Sequence, residues 1–250
     1  MNDFRHATLA DMARRPWPLP PGPWVMTQTW HDLLFAHWRV DFETLRGRVP
    51  TPLSLDRFDG DAWIGVVPFQ MTNVSPRFIP PLPGLSAFPE INVRTYVTVG
   101  GKPGVYFFSL DAASRLAVWS ARALFHLPYF GASIAVDRSA DAVTYRSRRS
   151  SGDAVFDGQY APSGAAFVAD RRSLEYFLAE RYCLYTVNGS GRVARTEIHH
   201  APWSLQAAEA EIRVNTMALP AGIALPAAAP HLLFVKRQDT VAWLPADSAV

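Results

Sequence analysis

The sequence predicts a β-rich α+β domain, and two patterns carry that prediction. Runs rich in β-branched and aromatic residues recur at 62–69, 93–99, 105–110, 142–147, 183–187, 193–199, 212–216 and 232–236. Only three short stripes have helical spacing, so strands dominate. Gly100-Gly101-Lys102-Pro103-Gly104 and Asn188-Gly189-Ser190-Gly191 supply turn chemistry between neighbouring runs and predict two hairpins.

Residues 1–23 form a proline-rich arm, because Pro16, Pro18, Pro20, Pro21 and Pro23 fix φ and remove amide donors. Residues 24–245 are expected to form a single domain, since 250 residues suit one large β-rich unit. Asp41 is placed to cap a helix through Val49, with Phe42, Leu45 and Val49 on one stripe and Pro50 enforcing the end. Leu116, Trp119, Ala123 and Leu124 mark a second helix stopped by Pro128, and Leu174, Phe177, Leu178 and Arg181 a third. The segment 75–89 is proline-rich yet carries Phe78, Ile79, Leu82, Leu85 and Phe88. Those residues are too apolar for a freely solvated loop, so it is expected to cover a pocket mouth or a homo-oligomer interface.

With 49% hydrophobic and 18% charged residues, the chain can bury a sizeable core. A net charge of +2, with short basic groups and no interleaved aromatic ladder, argues against a nucleic-acid partner. No apolar run approaches the roughly 18 residues that span a bilayer. The lone Cys183 cannot form an intramolecular disulfide, so a cytoplasmic protein with no membrane partner is expected.

Common catalytic motifs fail on inspection. Gly189, Gly191 and Ala194 satisfy a loose dinucleotide pattern, but a strand follows where a phosphate-binding helix is needed. Gly131-Ala132-Ser133-Ile134-Ala135 misses a nucleophile elbow by its second glycine. His199 and His200 are adjacent, and adjacent residues on a strand point to opposite faces. Glu197 and His199 share a face but are too few for a closed metal site, so neither metal nor cofactor is expected.

Several ordered segments carry a resemblance. They are Trp38-Arg39-Val40-Asp41, residues 45–52, Pro89-Glu90-Ile91-Asn92-Val93-Arg94, residues 104–128, Glu180-Arg181-Tyr182-Cys183-Leu184-Tyr185 and Ile198-His199-His200-Ala201-Pro202-Trp203-Ser204-Leu205-Gln206. Together they resemble the YqjF-like family, a domain-of-unknown-function group similar in fold to acetoacetate decarboxylase. The resemblance implies a cone-shaped, largely antiparallel β-barrel with a few packed helices and an internal pocket. It also implies that the decarboxylase's Schiff-base lysine is replaced: its position holds Tyr129 and the next holds Phe130. The chain's lysines, Lys102 and Lys236, match neither position. A tyrosine cannot form an imine.

Glu90 matches the family's glutamate. On an extended chain Glu90, Asn92 and Arg94 share a face that either meets solvent or lines a pocket, and the resemblance implies the pocket. Glu90 and Tyr129 are thus the candidate catalytic pair, with Arg94 expected to help set the charge of Glu90 and to hold a carboxylate. Asn92, Tyr185, His199 and Trp203, all within the matched segments, complete the candidate binding set. The expected partner is a small organic carbonyl or carboxylate compound, handled without an imine or merely bound.

Overall fold

The computed structural model describes residues 8–114, 119, 125–139 and 142–248. Its centre is β4 (Phe88–Val99), which pairs antiparallel with β3 (Ala62–Pro76) on one side and β5 (Lys102–Ala112) on the other. Gly100 and Gly101 both adopt positive φ and close the β4–β5 hairpin in two residues, as the sequence predicts.

The barrel closes because two strands divide their partners. One end of β5 pairs in parallel with β9 (Cys183–Val187), while Leu110–Ala112 at its other end pair in parallel with β6 (Tyr129–Arg138). On the opposite side, β12 (His231–Ala242) pairs with β10 (Val193–His200) through Thr240–Ala242 and with β11 (Gln206–Asn215) through Leu233 and Phe234. β7 (Val143–Arg149) and β8 (Val155–Pro162) continue from β6 to β11. β1 (Met26–Val40) joins β12 to β3. The result is a closed, largely antiparallel barrel of nine strands, with β9 and β10 bridging a shorter circuit at one end. β2 (Ser54–Leu55) and β13 (Ala246–Asp247) are short edge additions.

Helices are few, as expected. α1 (Phe42–Arg46) starts where Asp41 accepts the Thr44 amide, but it stops short of the predicted Val49. There the Arg46 side chain turns forward to the carbonyls of Val49, Pro50 and Leu53 and holds a tight loop. α2 (Leu174–Ala179) is capped by Ser173. Of the second predicted helix, Leu116, Ala123 and Leu124 lie outside the described residues. Among the described residues no helix is long and apolar enough to cross a membrane.

β1, β6 and β8 escape the sequence reading. In β1, Leu33 and Phe35 pack in one core while Leu34 and Ala36 pack in another, so both faces are buried and no alternation survives. The second core places Leu34, Ile91 and Val93 against Tyr145, Phe156 and Tyr160 of the β7–β8 layer.

Bulges then decide which residues face the barrel interior. β1 gains one residue against β3 between His31 and Ala36, where Asp32 sits at φ 47°. Before it Met26, Gln28 and Trp30 line the interior cavity; after it Leu33 does. β3 repeats the device at Asn73, φ 53°, which switches the lining from Val67, Phe69 and Met71 to Val74 and Pro76. Asp and Asn tolerate this left-handed geometry better than other side chains. Asp32 is held further by Lys236 at 2.7 Å, by Arg138, and by the Tyr160 hydroxyl donating to its carbonyl at 2.8 Å. We expect Asp32→Ala to be less stable than Asp32→Gly by about 1 kcal/mol, because both lose the carboxylate but only alanine keeps the backbone strain. Urea unfolding of the two variants measures the difference.

Candidate active site

A cavity of about 420 Å³ occupies the barrel, and β4 provides its polar side. Phe88, Glu90, Asn92 and Arg94 all line it. Glu90, Asn92 and Arg94 are only 2%, 4% and 9% exposed, because the opposite face of β4 packs into the second core. β4 therefore has no solvent face, and its polar residues look into the cavity.

Tyr129 opens β6 directly after Leu127-Pro128, paired with Leu110, and is buried. Its hydroxyl donates to Glu90 Oε2 at 2.7 Å. Burial pushes the Glu90 carboxyl up to about 7, against the hydrogen bonds from Tyr129 and Asn92 and with help from the nearby Asp111 charge. Asp111 itself is clamped by Arg149 through two hydrogen bonds, at 2.7 and 2.8 Å. The same burial, with Glu90 alongside, drives the Tyr129 phenol well above its ordinary value. The proton exchanged near neutral pH is thus that of Glu90.

Arg94 does not pair with Glu90 and is not among the groups that shift its carboxyl, although the sequence reading expects it to help set that charge. Four residues of extended strand separate their Cα atoms by about 13 Å, and Asn92 lies between them. The Arg94 guanidinium donates to the Leu178 carbonyl at 3.3 Å and lies 4.8 Å from the Phe35 ring centroid. It has no carboxylate partner among the described residues, and its Nε is buried without an acceptor. His37 behind it is held neutral by burial and by Arg94 itself, and bonds the Tyr96 hydroxyl at 2.5 Å.

Trp203 lines the cavity, stacked on Trp30 at 5.8 Å and edge-on to Phe35 at 5.1 Å. Tyr185 and His199 do not line it. The Tyr185 hydroxyl donates to the carbonyls of Lys102 and Val99, locking the β4–β5 hairpin. On β10 it is Thr196 and Ile198 that face the cavity, so alternation turns His199 away, where its Nε2 meets the Thr8 carbonyl at 2.9 Å. His200 bonds the carbonyls of Ala201 and Arg181. Burial pushes both histidines down to about 4, so both are neutral structural groups. Among the described residues no group of three or more His, Cys, Asp or Glu side chains could hold a metal.

A family model described as "Uncharacterized conserved protein (COG2071)", DUF2071, matches residues 27–239. The chain belongs to this family. Uncharacterized protein YqjF of Bacillus subtilis (strain 168) is 51% identical over 226 residues, covering 90% of this chain and 93% of that protein. Two kinds of solved structure share the fold. The enduracididine biosynthesis enzyme MppR complexed with pyruvate superposes with a TM-score of 0.62 at 11% identity, over 93% of each chain. Acetoacetate decarboxylase from Legionella pneumophila gives 0.61 at 12%, over 99% of this chain and 98% of that one. The barrel is therefore an acetoacetate decarboxylase-like fold.

In this DUF2071 chain neither lysine lines the cavity. Lys102 pairs with Glu197 at 3.3 Å, and Lys236 is largely exposed beside Asp32. What the sequence reading missed is the wall of Gln28, Trp30 and Val74, whose facing the two bulges set. Of the segment 75–89, Ile79, Leu82, Leu85 and Phe88 line the cavity, whereas Phe78, expected to be covered, is 87% exposed.

Folded Glu90 keeps its proton up to about pH 7, whereas the unfolded chain loses it near 4.5. Stability tied to this group is fully present below 4.5 and is lost as pH rises through 7, by about 3 kcal/mol at most. We expect Glu90→Gln to remove that slope, so its stability relative to the wild type rises between pH 5 and pH 8. Chemical denaturation at the two pH values checks this, and parallel behaviour of the two proteins would refute it.

Proposed function

We propose that this protein binds a small organic carboxylate bearing a carbonyl group and that Glu90 and Tyr129 move a proton on it without an imine. One observation carries the reading: a buried guanidinium with no carboxylate partner among the described residues shares a cavity with a carboxyl group poised near neutrality. Arg94 supplies the charge that an organic acid needs on entering an apolar space. Glu90, with both protonation states populated near pH 7, suits general acid–base work.

The step runs as follows. Ionised Glu90 takes a proton from the carbon beside the carbonyl, and the C–H electron pair forms the enolate double bond as the carbonyl pair moves onto oxygen. Protonated Glu90 then accepts more weakly, and the Tyr129 phenol turns its hydrogen bond to the enolate oxygen. Returning the proton reverses the sequence. The pyruvate in MppR belongs to that protein, and it motivates 2-oxo acids as the first probes. Cys183, buried and free, fits a cytoplasmic setting.

The second reading is a ligand-binding protein that performs no chemistry, favoured by the Tyr129 hydroxyl being already engaged with Glu90. Proton NMR in D₂O separates the two. We expect the protein to accelerate deuterium incorporation at the carbon beside the carbonyl of 2-oxo acids, and Glu90→Gln to abolish that acceleration while retaining binding. Arg94-dependent binding without exchange would establish the noncatalytic reading, and no binding would overturn both.

A further inference from the structure

The cavity's contents are ordered along one strand. Reading β4 from its start, Phe88, Glu90, Asn92 and Arg94 enter the same space, spanning about 20 Å between the outer Cα atoms at the rise of an extended chain. Beyond Phe88 lie Ile79, Leu82 and Leu85 of the segment joining β3 to β4. One end of the cavity is therefore cationic and the other mainly apolar, its Ser75 and Ser86 hydroxyls being engaged with the backbone of Ile79 and Leu82.

Size narrows the ligand further. At about 420 Å³ the cavity falls within the roughly 300–1,000 Å³ of pockets that enclose drug-sized ligands, far beyond the needs of a three-carbon acid. A short acid would leave Trp30, Phe69, Met71 and Phe88 without the contacts that apolar burial rewards. Three buried polar atoms on lining residues also have no partner among the described residues: Arg94 Nε, Trp203 Nε1 and Asn92 Oδ1. Two are donors, matching a carboxylate and a carbonyl oxygen; the third is an acceptor.

We propose that the ligand is an amphipathic acid, with its carboxylate on Arg94 and a medium-length alkyl or aryl tail running past Phe88 to Ile79, Leu82 and Leu85. The inference rests on the carboxylate reading above and adds the tail and its direction. Ile79, Leu82 and Leu85 are each nearly half exposed although they line the cavity, so the tail end is thinly covered and is where the ligand enters.

The test is calorimetric titration of the full chain with straight-chain 2-oxo acids from three to ten carbons, and with their methyl esters. Affinity is expected to rise about fourfold per added methylene until the tail fills the cavity. Arg94→Met should remove the preference for acid over ester. Leu82→Asp, at a half-exposed position, should flatten the chain-length trend, lowering the affinity of the ten-carbon acid far more than that of the three-carbon acid. Binding that depends on Arg94 but not on length overturns the tail and leaves the carboxylate reading standing. A length trend that survives Leu82→Asp overturns the direction of the tail, and no binding of any acid overturns both.

Discussion

Everything at this site follows from β4 having no face in water. On one side Ile91 and Val93 are sealed against the β7–β8 layer, and on the other Glu90, Asn92 and Arg94 look into the barrel. A strand so enclosed would ordinarily be apolar throughout. The polar residues on it are costly, and only partly offset inside the protein: Tyr129 and Asn92 support Glu90, while Arg94 donates a long bond to the Leu178 carbonyl and a hydrogen bond to Tyr96 and lies against aromatic rings. That imbalance is what a bound anion would relieve.

Burial also sets the chemistry. The neighbouring Asp111 is just as enclosed, yet it is clamped through two oxygens by Arg149, which holds it as a structural ion pair. Glu90 has no cation paired with it among the described residues and is lifted to about 7. Burial raises both carboxyl groups, but at Asp111 the Arg149 guanidinium opposes it, whereas at Glu90 only neutral hydrogen bonds do.

The sequence made the hairpins, the α1 cap, the α2 stripe and most interior strands legible, because Gly100-Gly101 and Asp41 act locally. The candidate pair Glu90 and Tyr129 came from resemblance, and the structure brings the two within 2.7 Å. Tyr185 and His199 were misdirected by proximity along the chain: Leu184 and Ile198, one residue away, hold the cavity positions. The wall built from Gln28, Trp30 and Val74 was illegible, since a single left-handed residue at Asp32 or Asn73 inverts the facing of every residue beyond it. The partnership of Glu90 with Arg94 failed for a simpler reason: sharing a face does not bring residues four positions apart into contact on an extended strand.

Arg94, buried and without a carboxylate partner among the described residues, is proposed to hold an organic anion. Native mass spectrometry of the protein purified from cells tests it most directly, comparing the wild type with Arg94→Met. The account predicts a retained organic acid on the wild type that is lost from the variant. A molecule retained equally by both proteins, or one carrying no acidic group, would contradict it.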